Sequence, residues 1–111
     1  MLAIVNHLPI KPDTDWGVLA RKVDEFNALV DHPDYRGTSL IRVRDDAATL
    51  VVLFTSQEAL DKVSREVAGP WFAENLRSYL SGAGDRHVGE VVAGPLAQDA
   101  QGNSQATVRV G

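Results

Sequence analysis

The stretch Thr-Leu-Val-Val-Leu-Phe at residues 49–54 decides the fold, because it presents apolar side chains on both of its faces. A strand with one solvated face alternates apolar and polar residues, whereas a strand covered on both sides does not. The chain has two helical regions, which suffice to cover one face of a four-stranded sheet. We therefore expect a second copy of the chain to cover the other face, in a two-fold symmetric homodimer.

The composition is that of one compact domain with an acidic surface. Of the 111 residues, 44% are hydrophobic and 23% are charged, and the net charge of -4 leaves no basic stripe for nucleic acid. The absence of cysteine excludes disulfides, thiolate metal sites and a cysteine nucleophile. No apolar run approaches membrane-spanning length, and the first residues lack a basic leader. We expect a cytoplasmic protein with no nucleic-acid partner and no membrane association.

Hydrophobic periodicity and turn residues predict the order strand, helix, strand, strand, helix, strand. Prolines and glycines separate the segments, and Asp13-Thr14-Asp15 supplies N-cap candidates for the first helix. Residues 34–37 are expected to form a loop, and residues 45–48 a hairpin turn. The expected elements are a strand at 2–8, a helix at 16–30, strands at 39–44 and 49–54, a helical region from a cap at Thr55 to Leu80, and a strand at 86–92.

Gly69-Pro70 interrupts the second helical region. Proline lacks an N–H donor and clashes with the preceding turn, but it is well suited to the first residue of a new helix. We therefore expect a bent axis at this point. Beyond the domain at residues 1–95, the sequence from Gly94 to Gln105 has the composition of a linker. Residues 106–110 could form a last strand, so the extension at 96–111 is interpreted as an added strand or a dimer arm.

The βαββαβ order predicts an α+β, ferredoxin-like antiparallel sheet with both helices on one face. Its spatial strand order is fourth, first, third, second. The chain resembles the antibiotic biosynthesis monooxygenase-like family, the dimeric α/β barrels that include haem-degrading monooxygenases. The similar features, spread over residues 1–95, are Phe-Thr-Ser-Gln-Glu-Ala-Leu at 54–60, Gly37 at the entry to the second strand, the bent second helix, and Val-Gly-Glu-Val-Val at 88–92.

The resemblance implies a pocket between helices and sheet, with oxygen-dependent chemistry on an aromatic or polyketide-like ligand that supplies its own electrons. It implies no cofactor and no metal. Two departures bear on this: Phe54 stands where many members have Trp, and residues 60–79 contain no His. The haem-degrading branch has an Asn on the first strand, matched by Asn6, but also a Trp and a His on the second helix. Trp71 falls after the Gly-Pro break rather than before it, and without a His in this region haem would lack its axial ligand.

The residues expected to bind the substrate are an amide, three aromatic side chains and an imidazole: Asn6, Phe54, Trp71, Tyr79 and His87. An amide on an apolar strand needs a partner, either a ligand or a loop backbone. Asn6 would then donate to a developing oxyanion, and Tyr79 or His87 would carry a proton. The structural alternative is favoured for both aromatics: a half-buried core or dimer-contact position for Trp71, and core packing for Tyr79, which lies on the apolar stripe. No residue is assigned as catalytic.

His7 and His87 should lie close together, because the first and fourth strands are antiparallel neighbours in this topology. Two His near Asp85 or Glu90 could bind a metal or move a proton, but without a spaced third ligand separate surface histidines are favoured and no metal site is predicted. Two function classes remain. One is a cofactor-independent monooxygenase, and the other is a non-catalytic dimeric binding or structural domain. An RNA-binding module would need exposed aromatic and basic residues on the central strands, which residues 50–53 lack.

Overall fold

The computed structural model describes residues 1–100, with side chains through residue 97. Its elements are β1 (Leu2–Pro9), α1 (Trp16–Leu29), β2 (Tyr35–Arg44), β3 (Ala47–Phe54), α2 (Gln57–Val63), a π-helical segment (Ser64–Ala68), α3 (Gly69–Asn75), a 3-10 turn (Arg77–Tyr79), β4 (Asp85–Glu90) and α4 (Pro95–Ala100). Within this part of the chain, none of the helices has the length and apolarity needed to cross a membrane.

The sheet has the strand order β2-β3-β1-β4, and every neighbouring pair is antiparallel. This confirms the expected ferredoxin-like topology. The central position of β3 follows from its composition, since only a strand paired on both edges and covered on a face can bury so many apolar side chains. The pairing of β1 with both β3 and β4 places the first and last strands side by side.

The two faces of β3 have different surroundings. Leu50, Val52 and Phe54 point towards the helices and are buried, with Phe54 at 0% exposure. Val51 and Leu53 point the other way and are only partly buried within one chain. We call this second side of the sheet the outer face. It is continued by Val5, which pairs with Val51, and by Ala3, which pairs with Leu53. Side chains on both faces of the strand are therefore apolar, as expected.

The helices begin where short polar side chains cap them. The Asp15 carboxylate accepts the N–H groups of Gly17 and Val18 at the start of α1, as predicted. The cap of α2 is Ser56, whose Oγ accepts the N–H of Ala59 at 3.1 Å, so the prediction of Thr55 as the cap is wrong. The Thr55 hydroxyl instead donates to Asp34 Oδ1 at 2.9 Å.

Strand β2 begins at Tyr35, so the prediction of a loop over residues 34–37 is wrong. Gly37 has a φ of 115°, and the register with β3 shifts between Tyr35 and Gly37. Such a bulge inserts one residue without ending the strand, and glycine adopts the required backbone angle without steric cost. The Tyr35 ring can then pack against Phe54, with 5.6 Å between ring centroids. Sequence alternation alone does not reveal this bulge.

The last strand and the segment after it also differ from the predicted elements. The closing strand ends at Glu90 rather than Val92, and residues 95–100 form α4 rather than a linker. Proline at the first position and the following Leu, Ala and Gln suit a short helix. Ala97 in this helix is buried. The strand expected at residues 106–110 lies outside the described residues.

Candidate functional site

A cavity of about 240 Å³ lies between the helix-facing side of the sheet and the second helical region. Strands β1, β3 and β4 form its floor, and the π-helical segment, α3 and the 3-10 turn form its wall. Its lining consists of Ile4, Asn6, Val52, Ser64, Ala68, Gly69, Phe72, Arg77 and Arg86. Five of these residues are apolar or glycine and four are polar or charged, so the cavity combines apolar surface with hydrogen-bonding groups, as small-molecule sites do.

Two polar atoms in this cavity are buried without a hydrogen-bond partner: Asn6 Oδ1 and Ser64 Oγ. Among the side chains of residues 1–97, no other buried N or O atom is found in that state. Leaving such an atom unsatisfied costs about 1–3 kcal/mol, so buried polar groups are nearly always paired. That both exceptions line one cavity indicates that a molecule entering it would satisfy them.

The wall of the cavity is shaped by the π-helical segment. Gly69 donates its N–H to the carbonyl of Ser64, five residues earlier, rather than to the usual acceptor four residues earlier. The wider turn brings Ser64, Ala68 and Gly69 to the cavity surface. Isolated π turns within α-helices often occur at functional sites. The predicted interruption at Gly69-Pro70 therefore exists as a widened turn, with Pro70 in the first positions of α3.

Two arginines provide the charge of the cavity. Arg86 is directly opposite Asn6 in the β1–β4 register, so the two side chains project from the same face of neighbouring strands. Arg77 extends from the 3-10 turn. Within residues 1–97, neither arginine forms an ion pair, and the cavity lining includes no Asp or Glu. The site is therefore locally cationic in a chain whose net charge is -4.

Of the five predicted substrate-binding residues, Asn6 alone lines this cavity. Phe54 is fully buried in the core and packs against Tyr35. Trp71 is half-buried, with its ring 4.7 Å from that of Phe26. Tyr79 is partly buried, and its carbonyl accepts the N–H of Lys11 at 2.9 Å. These three aromatic side chains pack in or against the hydrophobic core and do not line this cavity, and their contact with a substrate stays a prediction.

His87 points to the outer face, where it pairs across the strands with Val5, so it does not line the cavity that contains Asn6. The expected proximity of the two histidines is confirmed, with 6.2 Å between the ring centroids of His7 and His87. His87 Nε2 lies 3.1 Å from Asp85 Oδ2, and His7 Nδ1 lies 3.1 Å from Thr49 Oγ1. Within the described part of the chain, no group of three His, Cys, Asp or Glu could hold a metal ion.

A larger groove of about 860 Å³ lies between the end of β1, the β2–β3 hairpin and residues 81–83. Its polar groups are already paired: His7 contacts Thr49, and Arg44 contacts Asp46 at 3.2 Å. It is also more open to solvent than the smaller cavity. We assign the functional site to the smaller cavity, because the buried polar atoms without partners are found there.

Ser64, Arg77 and Arg86 are the site residues that sequence reasoning missed. A serine or an arginine within a helical pattern is indistinguishable from a solvated surface residue unless the exact helical phase is known. The π-helical segment between α2 and α3 changes the helical phase, so the side chains after it point in directions that a continuous α-helix would not give them. The Gly69-Pro70 pair was the available signal, because it marks where the regular hydrogen-bond ladder must change.

The fold is shared with several solved structures of low sequence identity. No family model matches the chain, and no curated protein matches it by sequence. SnoaB from Streptomyces nogalater, a cofactor-independent oxygenase, aligns with a TM-score of 0.64 and 16% identity over 84% of this chain and 94% of its own. The haem degrader MhuD from Mycobacterium tuberculosis aligns with a TM-score of 0.64 and 17% identity over 85% and 98%.

A candidate antibiotic biosynthesis monooxygenase from Caulobacter crescentus also aligns, with a TM-score of 0.66 and 15% identity over 83% of this chain and 90% of its own. The MhuD structure contains two haems in its active site. The cavity described above does not fit haem-iron ligation, because none of the histidines His7, His32 and His87 lines it. The resemblance to the antibiotic biosynthesis monooxygenase-like proteins is thus confirmed at the level of the fold.

Proposed function

We propose that this chain is a cofactor-independent monooxygenase of the antibiotic biosynthesis monooxygenase type, acting on an aromatic or polyketide-like small molecule. The observation that supports this most directly is the pair of unpartnered atoms, Asn6 Oδ1 and Ser64 Oγ, in a cavity with apolar walls. Ligand sites for drug-sized molecules measure about 300–1,000 Å³. A cavity of about 240 Å³ that is open on one side therefore encloses one or two fused rings of such a molecule, and a third ring would lie at its opening.

In the proposed reaction, the ligand is an electron-rich phenol that becomes a phenolate and passes electrons to O2. For a substrate with a reactive CH2 group, the overall change is CH2 + O2 → C=O + H2O, so carbon is oxidised and one oxygen atom leaves as water. Arg77 and Arg86 are exposed at the cavity, and their positive charge favours the ionised form of a nearby phenol. Asn6 and Ser64 hydrogen-bond to ligand oxygens, and the Asn6 amide can present either its oxygen or its nitrogen.

The alternative is a non-catalytic binding domain, and one observation favours it. The cavity lining contains no His, Asp or Glu, so no general base with an ordinary pKa near or below neutrality contacts the ligand. Catalysis would then require the proton to leave to solvent through the open side of the cavity. A domain that only binds aromatic molecules has no such requirement.

We propose further that two copies associate through the outer face. In one chain this face leaves Ile41 46% exposed and Val51 and Leu53 partly exposed. In a two-fold symmetric dimer, the apolar patch of one chain contacts the same patch of the other, and both are removed from water. The partner proposed for this chain is therefore a second copy of itself.

Oxygen consumption separates the two functions. Anthrone and related phenols are incubated with the protein in an oxygen electrode, and uptake above the uncatalysed rate supports the oxygenase. Asn6→Ala should reduce this uptake, whereas the matched control Asn75→Ala should not, because Asn75 lies outside the cavity and bonds to the carbonyl of Trp71. Calorimetric binding of the same phenols without oxygen uptake would decide for the binding domain.

A further inference from the structure

Resting on the proposed function, we infer that the ligand of the Asn6–Ser64 cavity carries an anionic group, such as a carboxylate, which Arg77 and Arg86 bind. The inference narrows the substrate class from aromatic molecules in general to aromatic acids. Arg77 and Arg86 give the cavity its positive charge. That charge is present whether or not oxygen is activated there.

First, within residues 1–97, neither of the two guanidinium groups is paired with a protein carboxylate. Arg42 is exposed and pairs with Asp45 at 2.6 Å, whereas Arg77 and Arg86 are also exposed but have no acidic partner among residues 1–97. Both of these arginines line the cavity. Two cations that share a cavity repel one another, and an anion between them removes that repulsion.

The second step is the position of Arg86 next to Asn6. Because these residues are opposite one another on neighbouring strands, a ligand seated over β1 and β4 reaches both. A guanidinium group offers several N–H donors in a plane that matches the two oxygens of a carboxylate. Ser64 supplies a further O–H donor from the helical wall.

The third step is the neighbouring apolar surface. Ile4, Val52 and Phe72 line the same cavity, and they cannot stabilise charge. A free inorganic anion would leave them solvated. The combination of cationic and apolar lining therefore fits an aromatic ring that bears one ionised substituent at the arginines.

The test compares three probes of similar size by isothermal titration calorimetry at pH 7: naphthalene-2-carboxylate, naphthalene-2-carboxamide and 2-naphthol. We expect the carboxylate to bind at least about tenfold more tightly than the carboxamide, because charge-assisted hydrogen bonds are the stronger kind. Arg86→Gln and Arg77→Gln should each reduce that ratio. The matched control Arg21→Gln, an exposed position on α1, should leave it unchanged. Raising the salt to 1 M should lower the ratio, because salt screens exposed charges.

The outcomes separate this inference from the proposed function. Equal affinity for the carboxylate and the carboxamide would overturn the inference, while binding of 2-naphthol would leave the aromatic site intact. A carboxylate preference that survives in the Arg77→Gln, Arg86→Gln double variant would also overturn it, provided that circular dichroism shows the native fold. Failure of all three probes to bind would count against both the inference and the proposed function.

Discussion

Gly84 lies directly against the side chain of Asn6: a Cβ atom on Gly84 would stand 2.8 Å from Asn6 Oδ1 and 2.9 Å from Leu8 Cδ2. Carbon atoms do not approach other heavy atoms that closely without a shift. The residue before β4 therefore determines where the Asn6 amide can sit. Because Gly84 has no Cβ, the Asn6 amide can occupy its position in the cavity.

Gly84→Ala should displace the Asn6 amide and weaken binding of 2-naphthol. We expect the free energy of unfolding to fall by about 1–3 kcal/mol, as for other substitutions that overpack a filled site. The matched control is Gly89→Ala on β4, where an added Cβ meets nothing within 4 Å. Denaturant unfolding and calorimetry measure the two effects. Equal behaviour of the two variants in both measurements would contradict the proposed contact.

Ser64→Ala should leave the free protein as stable as before or slightly more stable. The hydroxyl is buried without a partner, so its removal relieves a cost of about 1–3 kcal/mol instead of breaking a bond. Ligand affinity should fall in the same variant. Ser56→Ala is the matched control, because that hydroxyl caps α2 and its loss should cost about 1 kcal/mol. A destabilisation of Ser64→Ala as large as that of Ser56→Ala, in urea unfolding, would show that Ser64 is structurally bonded.

The topology could be predicted from the sequence because it depends on features that a pattern reveals. The apolar stretch at residues 49–54 had to be central, and the βαββαβ order restricts the sheet to few arrangements. Asn6 could be identified because an amide among apolar strand residues is costly unless paired. These inferences concern periodicity and burial, which are local properties of the chain.

The rest of the site could not be predicted, because it depends on changes of register and phase. The bulge between Tyr35 and Gly37 extends β2, and the π-helical segment contributes Ser64 and Ala68 to the cavity lining. A shift of one residue reverses which face a strand residue occupies, and a widened turn similarly redirects a helical residue. Trp71 packs on Phe26, a contact that the hydrophobic pattern alone does not specify.

Trp71→Ala should cost about 3 kcal/mol of stability, at the lower end of the range for aromatic truncations because the side chain is only half-buried. Its contact with Phe26 is a packing contact, so the affinity for 2-naphthol should change little. Phe72→Ala provides the contrast, since Phe72 lines the cavity and its loss should weaken probe binding. A Trp71→Ala protein with unchanged melting temperature and lost probe affinity would restore Trp71 to the ligand site.

Substitutions on opposite faces of β3 should have different consequences. Val51→Asp places a charge on the outer face and should disrupt the proposed dimer while leaving each chain folded. Val52 is buried at 7% exposure on the helix-facing side, so Val52→Asp should unfold the chain, with a cost of about 3 kcal/mol or more. Light scattering and circular dichroism distinguish these outcomes. A stable, folded monomer for the unmutated protein would contradict the dimer proposal.

Asp34 should make the stability of the fold depend on acid pH. Hydrogen bonds from the hydroxyl groups of Thr55 and Ser56 lower the pKa of its carboxyl below the ordinary value of 3.8. A group with a lowered pKa contributes stability that is present above the unfolded-state pKa and is lost as the pH falls through the folded-state pKa. Wild type should therefore be more stable than Asp34→Asn at pH 6, and this difference should shrink below about pH 4. Asp31→Asn, at an exposed neighbouring position, is the matched control and should show no such convergence. Urea unfolding between pH 3 and pH 7 gives the comparison, and a difference that stays constant across that range would show that the Asp34 carboxylate does not stabilise the junction of β3 and α2.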